Sequence, residues 1–207
     1  MPWIIPGIIT SYLTGSIPTA YIFCRLLKNV DIRKSGSGNV GATNASRVLG
    51  KPAAVIILLI DIFKGFAAVF FIGDMVVSRY AGLPDITTRA LLGLCCICGH
   101  NWTIFLRFKG GKGVATTLGV LLGLAFKAAG LKIVFSLTIA AWLAVFILFR
   151  IVSLASIISA VALPFFMLAL RQPLALVYSS VLLSIFILVR HKSNLERLFR
   201  GEEPRLK

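Results

Sequence analysis

Acidic side chains are scarce in this chain, which has seven Asp and Glu residues among 207, against 22 Lys and Arg. The few carboxylates are scattered apart from Glu202 and Glu203 in the C-terminal tail, and the glycine-containing stretches 35–47 and 108–116 contain none. Neither of the two histidines stands in an evident Ser–His–Asp or Cys–His arrangement. The sequence therefore favours a site that binds anions and has few groups for proton transfer.

Cysteine is also rare and does not follow a metal-binding pattern. The four cysteines, Cys24, Cys95, Cys96 and Cys98, all lie in apolar runs. Three of them crowd together without the histidine or second cysteine pair that a zinc site needs. We predict that they are small packing residues and that the protein uses no metal and no cofactor.

Charged residues are few relative to apolar ones: 14% of the chain is charged and 58% is hydrophobic, with a mean hydropathy of +0.93. A soluble domain of this size cannot bury so much apolar surface. The sequence predicts an all-α, polytopic membrane bundle that forms a single domain over residues 1–207.

Apolar segments run over about 3–24, 52–73, 90–106, 114–126, 133–149, 151–170 and 174–189. A membrane-spanning helix needs about 20 residues, and about 17 still suffice. Segment 114–126 is too short to span a membrane by itself. Its helix either begins within the preceding glycines or is re-entrant, entering and leaving the membrane on the same side. We predict seven transmembrane helices, with six as the fallback.

The basic residues indicate the orientation of these helices. With the N-terminus outside, sixteen of the 22, including Lys207, fall on the inner side, five fall outside and Lys64 lies within a segment. Such a bias predicts the N-terminus outside and the C-terminus inside. The net charge of +15 then fits anionic membrane lipids or anionic substrates, and we expect no nucleic acid partner.

The stretch "SGSGNVGATNASR" (35–47) is polar and rich in glycine. Its glycines free the backbone, its hydroxyls and amides offer hydrogen bonds, and Arg47 suits bidentate phosphate binding. This chemistry is typical of holding an anion. A flexible glycine–serine linker is the alternative.

A second stretch, "FKGGKGVAT" (108–116), places two lysines around a Gly–Gly pair at the start of a helix. Successive amides there can form an anion-binding nest, although the P-loop pattern GxxxxGK[ST] is absent. The alternative is a basic loop with a flexible turn.

The tail "RHKSNLERLFRGEEPR" (190–205) places His191 and Asn194 on one helix face. A basic tail beside a membrane helix is commonly a lipid anchor, which remains the alternative. In the predicted orientation this tail, the connection 150–156 and both glycine-containing stretches lie on the cytoplasmic face, as one site.

Asp61 and Lys64 lie three residues apart within an apolar segment and share a helix face. Charged groups within a bilayer usually pair with each other. We predict a structural ion pair, with a relay or substrate contact as the alternative.

Together, these stretches resemble the PlsY family of bacterial membrane acyl-phosphate:glycerol-3-phosphate acyltransferases. The family's three motifs are similar to "GSGNVGATNASR" (36–47), "GHNWTIFLRFKGGKGVAT" (99–116) and "RHKSNLERLFRGEE" (190–203), and "DIFKG" (61–65) and "RIVSLAS" (150–156) also fit. The chain departs at Thr103, where the second motif is expected to have proline. We expect this change to affect the local bend more than the chemistry.

The resemblance implies a seven-helix enzyme of the bacterial inner membrane with a cytoplasmic active site. It would transfer a fatty acyl group from acyl phosphate to the 1-hydroxyl of glycerol 3-phosphate, giving lysophosphatidic acid and phosphate, the first step of phospholipid synthesis. Neither acyl-CoA nor acyl carrier protein would be its direct donor.

The resemblance also assigns roles to residues. It implies catalytic roles for His191, Asn194, Ser37 and Arg47. It implies substrate and phosphate binding by a larger set: Ser35, Gly38, Asn39, Thr43, Asn44, Lys109, Gly110, Gly111, Lys112, Gly113, Ser153 and Ser156.

Two other classes of protein compete with this interpretation. An organic-phosphate transporter also needs a basic pocket, but it should carry polar residues near the membrane midplane and often internal repeats. A lipid-binding scaffold would explain the basic tail but not the clustered glycines and asparagines.

The charge bias predicts that the polar stretches face the cytoplasm. Single cysteines replacing Ser46 and Ser193 in a cysteine-free background should resist impermeant thiol reagents in intact cells and react after the membrane is opened. Labelling of either cysteine from outside would contradict the orientation.

Overall fold

The computed structural model describes residues 3–206, and every regular element within that range is helical. The described residues do not include Met1, Pro2 or Lys207. Lys207 is one of the sixteen basic residues predicted to lie on the inner side. The chain divides into two compact units, one up to Leu124 and one from Ala125 onward. Each unit is described by itself.

The N-terminal unit consists of helices joined by short turns. Its helices are α1 (Ile4–Ser16), α2 (Thr19–Lys28), α3 (Ala42–Leu49), α4 (Lys51–Ala67), α5 (Gly73–Val77), α6 (Asp85–Asn101) and most of α7 (Val114–Lys127). Short 3₁₀ turns at Ile32–Lys34 and Ile104–Leu106 stand in the connections.

The first apolar segment, predicted as one helix over 3–24, is broken in two. Helix α1 ends at Ser16 and α2 begins at Thr19. Pro18 has no N–H to donate and disfavours helical geometry at Ile17, whose ψ is 112°. The break leaves the Ile17 carbonyl outside the helical pattern, where it accepts a hydrogen bond from Lys64 Nζ at 3.2 Å.

A second irregularity follows α4, where Ala68–Ile72 forms a π-helical segment before α5. Arg89 of α6 is buried beside it and donates from Nη1 to the Val69 carbonyl at 3.0 Å. The same guanidinium pairs with Asp74, at 2.7 Å, and with Asp85. Arg89 thereby fixes the π-helical turn to α6, and the two aspartates neutralise its charge.

Helices α1 and α6 pack closely through glycine. A Cβ on Gly15 would collide with the Cys96 carbonyl, and one on Gly99 would collide with the Tyr12 carbonyl. Small residues at a crossing let helix backbones approach, as is common in membrane proteins. Cys96 is fully buried at this contact and all four cysteines are free thiols, in agreement with packing roles.

The C-terminal unit contains α8 (Ala129–Phe149), α9 (Val152–Ala169), α10 (Leu174–Arg190) and α11 (Lys192–Phe199). Helix α9 packs against both α8 and α10. Helix α11 turns 65° away from α10. The predicted segments over 133–149, 151–170 and 174–189 match α8, α9 and α10 with small shifts at their ends.

Several helices are long and apolar enough to cross a membrane. Within the described residues four stretches qualify, Lys51–Val77, Asp85–Leu106, Ala129–Phe149 and Val152–Ala169, and a fifth is added if α10 and α11 are one bent span. Helix α7 is shorter, and it begins at Val114, after the glycines and not within them. Large apolar side chains such as Leu148 and Phe165 are exposed on the helices, as expected for surfaces that face lipid.

Candidate active site

The polar loop at 35–47 has a defined conformation and is not a flexible linker. Gly36 and Gly38 adopt positive φ angles of 59° and 71°, which glycine tolerates without strain. Asn44 lies at the centre of the loop and is 2% exposed. Its Nδ2 donates to the carbonyls of Ile32, Ser35 and Asn39, at 3.3, 2.9 and 3.0 Å, and its Oδ1 accepts from the Ser37 amide at 2.8 Å.

These contacts give Asn44 a role different from the predicted one. Both amide hydrogens are used by backbone carbonyls, so the side chain has no donor left for a phosphate oxygen. Asn44 shapes the loop by replacing backbone hydrogen bonds that an irregular segment cannot make for itself. The candidate phosphate ligands of this loop are therefore the groups at its surface.

The loop presents a cation and hydroxyls to its surface. Ser37, Thr43 and Arg47 are exposed, and Ser35 and Asn39 are partly exposed. Arg47 and Asn44 both lie on α3, the short helix that forms the second half of the 35–47 stretch. The same short helix therefore fixes the loop from inside and offers a guanidinium at its surface.

Asp31, just before the loop, is held ionised by its neighbours. Hydrogen bonds from the Arg33 guanidinium lower the pKa of Asp31 to about 2, helped by the nearby charge of Arg25. A carboxylate with so low a pKa is a poor proton acceptor near neutral pH. It anchors the start of the loop through the Arg33 amide, which donates to Oδ1 at 3.0 Å.

The glycine–lysine loop, residues 109–113, is tied to the end of α6. The Gly110 amide donates to the Asn101 carbonyl at 3.1 Å, and the Gly111 amide donates to the His100 carbonyl at 2.9 Å. Two of the amides predicted to form an anion nest, those of Gly110 and Gly111, therefore bind helix carbonyls in this structure. Lys109 is exposed and Lys112 is partly exposed, so the lysines remain the candidate phosphate ligands of this loop.

Thr103, where the resemblance leads us to expect proline, ties this segment to α1. Its hydroxyl donates to the Ser16 carbonyl at 2.6 Å and accepts from the Phe105 amide at 3.2 Å. Its φ of −68° is one that proline also adopts. Thr103 thus has a backbone angle that proline also allows, and its hydroxyl adds a hydrogen bond to α1.

A small cavity lies where the helix break and both loops meet within the N-terminal unit. Its lining includes Gly15–Thr19 from the break, Val40 from the first loop, Gly110 and Gly111 from the second, and the side chains of His100 and Thr103. The structure thus brings two of the predicted polar stretches together. The sequence analysis gave no role to the break or to His100.

Beside the cavity lies a buried cluster, which we call the Asp61 network: Asp61, Lys64, Thr19 and His100. Asp61 Oδ1 lies 2.9 Å from Lys64 Nζ and accepts from the Thr19 hydroxyl at 3.0 Å. His100 Nδ1 lies 3.9 Å from the same oxygen. Asp61 and Lys64 therefore face each other as the helical spacing predicts, with two further polar partners that the sequence did not indicate.

In the C-terminal unit, Glu203 joins three polar side chains. Its Oε1 accepts from the Ser153 hydroxyl at 2.6 Å and from Asn194 Nδ2 at 2.5 Å, and its Oε2 pairs with Arg197 Nε at 2.7 Å. Burial raises the pKa of Glu203, but the hydrogen bonds from these three residues and the charge of Arg197 outweigh it and leave the pKa below its usual value. Sequence reasoning missed Glu203, although the third motif ends on it.

His191 is 2% exposed at the junction of α10 and α11. Its Nδ1 lies 2.8 Å from the Ile187 carbonyl, which can only accept, so Nδ1 carries a proton. A backbone carbonyl one helical turn earlier, and not a carboxylate, thus fixes the tautomer of His191.

Ser156, predicted to bind substrate, is 2% exposed. Its hydroxyl donates to the Val152 carbonyl at 2.8 Å and accepts from Trp142 Nε1 at 3.2 Å. These contacts join α8 to α9 within the C-terminal unit and give Ser156 a packing role. Ser153, one turn earlier on α9, instead points its hydroxyl at Glu203.

Comparisons with known proteins agree with the motifs. A family model described as glycerol-3-phosphate acyltransferase matches residues 5–201. The chain is 44% identical to a glycerol-3-phosphate acyltransferase of Staphylococcus haemolyticus, over 99% of this chain and 98% of that one. It is 42% identical to the one from Rippkaea orientalis, over 100% of this chain and 95% of that one.

Solved structures are similar as well. The glycerol 3-phosphate form of PlsY, an integral membrane glycerol 3-phosphate acyltransferase, aligns with a TM-score of 0.86 and 34% identity over 99% of this chain and 96% of that one. Its lysophosphatidic acid form aligns with a TM-score of 0.83 and 34% identity, over 99% of this chain and 95% of that one.

The Glu203 cluster predicts a pH-dependent contribution to stability. Because its pKa is lowered on folding, the contribution is present at neutral pH and disappears as the pH falls below about 4. Glu203→Gln should lower the free energy of unfolding by about 1–3 kcal/mol at pH 7, since buried partners lose a charged acceptor. Thermal unfolding of purified protein at several pH values measures this, with Glu202→Gln as the exposed control. A constant difference between Glu203→Gln and the parent protein down to pH 3.5 would contradict the assignment.

Proposed function

The chain belongs to the glycerol-3-phosphate acyltransferase family, and we propose that it transfers a fatty acyl group from acyl phosphate to the 1-hydroxyl of glycerol 3-phosphate. The products would be lysophosphatidic acid and inorganic phosphate. The observation that carries the proposal is the match of this family over residues 5–201, which includes the first two polar motifs and residues 190–201 of the third. The glycerol 3-phosphate and lysophosphatidic acid forms of the similar PlsY structures support the acceptor and the product.

The acyl phosphate donor is supported by the chemistry of the described residues. The two loops offer Arg47, Lys109 and Lys112 at their surfaces, and cations of this kind suit substrates that both carry phosphate. Acyl phosphate already has a good leaving group, so a covalent enzyme intermediate is not needed. Positioning and charge neutralisation can supply most of the acceleration.

In the proposed reaction the 1-hydroxyl oxygen of glycerol 3-phosphate attacks the acyl carbonyl carbon. A new C–O ester bond forms, and the bond between the carbonyl carbon and the phosphate oxygen breaks. The hydroxyl proton passes to a phosphate oxygen, so inorganic phosphate leaves with it. Arg47 and Lys112 would neutralise phosphate charge, Ser37 would hydrogen-bond substrate, and His191 and Asn194 would orient it.

We propose that both compact units serve this one activity, because the family model spans both. The chain would cross the bacterial inner membrane seven times, through α1–α2, α4–α5, α6, α7, α8, α9 and α10, with the motifs in the cytoplasm. The charge bias supports an odd number of crossings. Helix α7, with 14 residues, is only ~21 Å long, so its flanks would have to complete the crossing.

The transporter considered from the sequence receives no support from the relatives, which are acyltransferases. Purified protein supplied with radiolabelled glycerol 3-phosphate and acyl phosphate tests the proposed activity directly. An organic-soluble labelled product is expected with acyl phosphate and none with acyl-CoA or acyl carrier protein. Uptake of label into vesicles without a lipid product would contradict the enzyme assignment.

Arg47 and Lys112 should each be needed for activity and not for folding. Arg47→Ala or Lys112→Ala should cost about 2–4 kcal/mol of transition-state stabilisation, as for the loss of a preorganised charged donor. The measurement is kcat/KM of protein that elutes as a folded species. Lys34→Ala, which removes an exposed charge beside the first loop, should change kcat/KM little. Near-parental activity in either test variant would remove that residue from the site.

His191 should orient substrate and should not be an indispensable general base. Replacement with Asn or Gln keeps a hydrogen-bonding group and removes titration near neutral pH. At least one of the two variants should retain measurable turnover, and the pH profile of kcat should keep its shape. A loss of about 10²–10⁴-fold in both, with disappearance of the limb near pH 6–7, would make His191 the base.

A further inference from the structure

The charged and polar side chains of the Asp61 network are almost completely buried, and a contribution to stability is a poor explanation for this. The exposed fractions are 2% for Asp61, 5% for Lys64, 4% for Thr19 and 8% for His100. Removing an ion pair from water is costly, and apolar residues of similar volume often do as well or better. A buried pair in a membrane protein is therefore a candidate for a further role.

Each end of the network reaches a place where a helix stops. Lys64 Nζ binds the Ile17 carbonyl at the break between α1 and α2. His100 is the next-to-last residue of α6, and its carbonyl accepts the Gly111 amide at 2.9 Å. The network thus connects the break in the first apolar segment with the glycine–lysine loop.

The imidazole of His100 lies between the Asp61 carboxylate and that loop. Nδ1 is 3.9 Å from Asp61 Oδ1, which is too long for a hydrogen bond. A carboxylate at this distance attracts an imidazole whose Nδ1 carries a proton. On the other side of the ring, a Cβ added to Gly111 would collide with Nε2. The loop can pass the ring at this distance only because residue 111 is glycine.

We propose that Asp61 is a positioning residue for the reaction: it holds the His100 ring against Gly111 and so fixes the loop that presents Lys112. Lys64 and Thr19 hold the carboxylate in place through their contacts with Oδ1. The inference rests on the proposed function for the role of Lys112, but the order of the loop can be measured without it.

The test uses a variant that leaves no unpaired buried charge. Asp61→Asn combined with Lys64→Met removes both charges at similar volume, and the Ile17 carbonyl keeps its bond from the Thr19 amide. Hydrogen exchange followed by mass spectrometry in detergent reports on residues 102–113. We expect exchange in this segment to be at least tenfold faster than in the parent protein, with the 35–47 loop unchanged because Asn44 holds it separately.

Asp85→Asn is the matched control. It removes an acidic partner from a buried arginine in the same unit, while Arg89 keeps Asp74 and the Val69 carbonyl. Exchange in 102–113 should be as in the parent. Parental exchange of this segment in the double variant would overturn the proposal. Equal acceleration across both loops would overturn it too, since the pair would then be a general structural element.

A third variant tests the role of the imidazole. His100→Gln should loosen 102–113 by itself, and adding it to the double variant should give little further acceleration, because both changes interrupt one connection. Additive acceleration would show independent effects and contradict the proposal.

Kinetics then separates this inference from the proposed function. In an active parent protein, the double variant should raise KM for glycerol 3-phosphate at least fivefold, while kcat falls less. An unchanged KM beside a loosened loop would overturn the positioning role. A parent protein without acyltransferase activity would overturn the proposed function and leave the exchange result standing.

Discussion

Carbonyl groups released where helices break are the constraint on which much of this structure depends. In hydrocarbon an unpaired carbonyl is costly, so each break must have its own donor. At the first break the Ile17 carbonyl accepts from both Lys64 and the Thr19 amide, and in the π-helical segment the Val69 carbonyl accepts from Arg89. The end of α6 uses backbone donors instead, because the amides of Gly110 and Gly111 fold back onto it. The side chains of Lys64 and Arg89 and the amides of Gly110 and Gly111 thus supply hydrogen bonds to carbonyls where the backbone is irregular.

The same requirement explains why the polar loops are ordered. Asn44 gives its amide hydrogens to backbone carbonyls of the 35–47 loop. In the C-terminal unit Glu203 gathers donors from Ser153, Asn194 and Arg197. The 35–47 loop and the C-terminal tail therefore each have one central polar residue whose hydrogen bonds stay within the protein. Exposed neighbours such as Arg47 lie at the surface instead.

This division has consequences for catalysis. A site for an activated acyl donor needs preorganised cations and donors more than it needs a strong base. The described carboxylates near the motifs serve as acceptors in hydrogen bonds or ion pairs: Asp31 with Arg33, Asp61 with Lys64, and Glu203 with its three donors. None of these arrangements presents a carboxylate as a general base, which fits acyl transfer with the proton passing to phosphate.

The sequence by itself determined the class of the protein. Apolar composition indicated a membrane bundle, three local motifs indicated the family, and helical spacing placed Asp61 opposite Lys64. These features are readable because composition, motifs and i,i+3 spacing are local properties of the chain. The break at Pro18 was visible as a proline, yet the long apolar run around it suggested one continuous helix.

Only the tertiary structure decided which polar groups are held inside the fold and which lie at its surface. Asn44 and Ser156 looked like substrate ligands but bind neighbouring groups of the protein, and Glu203 and His100 had no assigned role although both lie in polar clusters. In both polar clusters some contacts join residues distant in sequence: the Thr19–Asp61 bond spans 42 residues, and the Ser153–Glu203 bond spans 50. A hydrogen-bonding side chain has the same chemistry toward a backbone carbonyl as toward a phosphate or a distant side chain. The choice depends on which group folding places within about 3 Å, and that distance is set by helix packing.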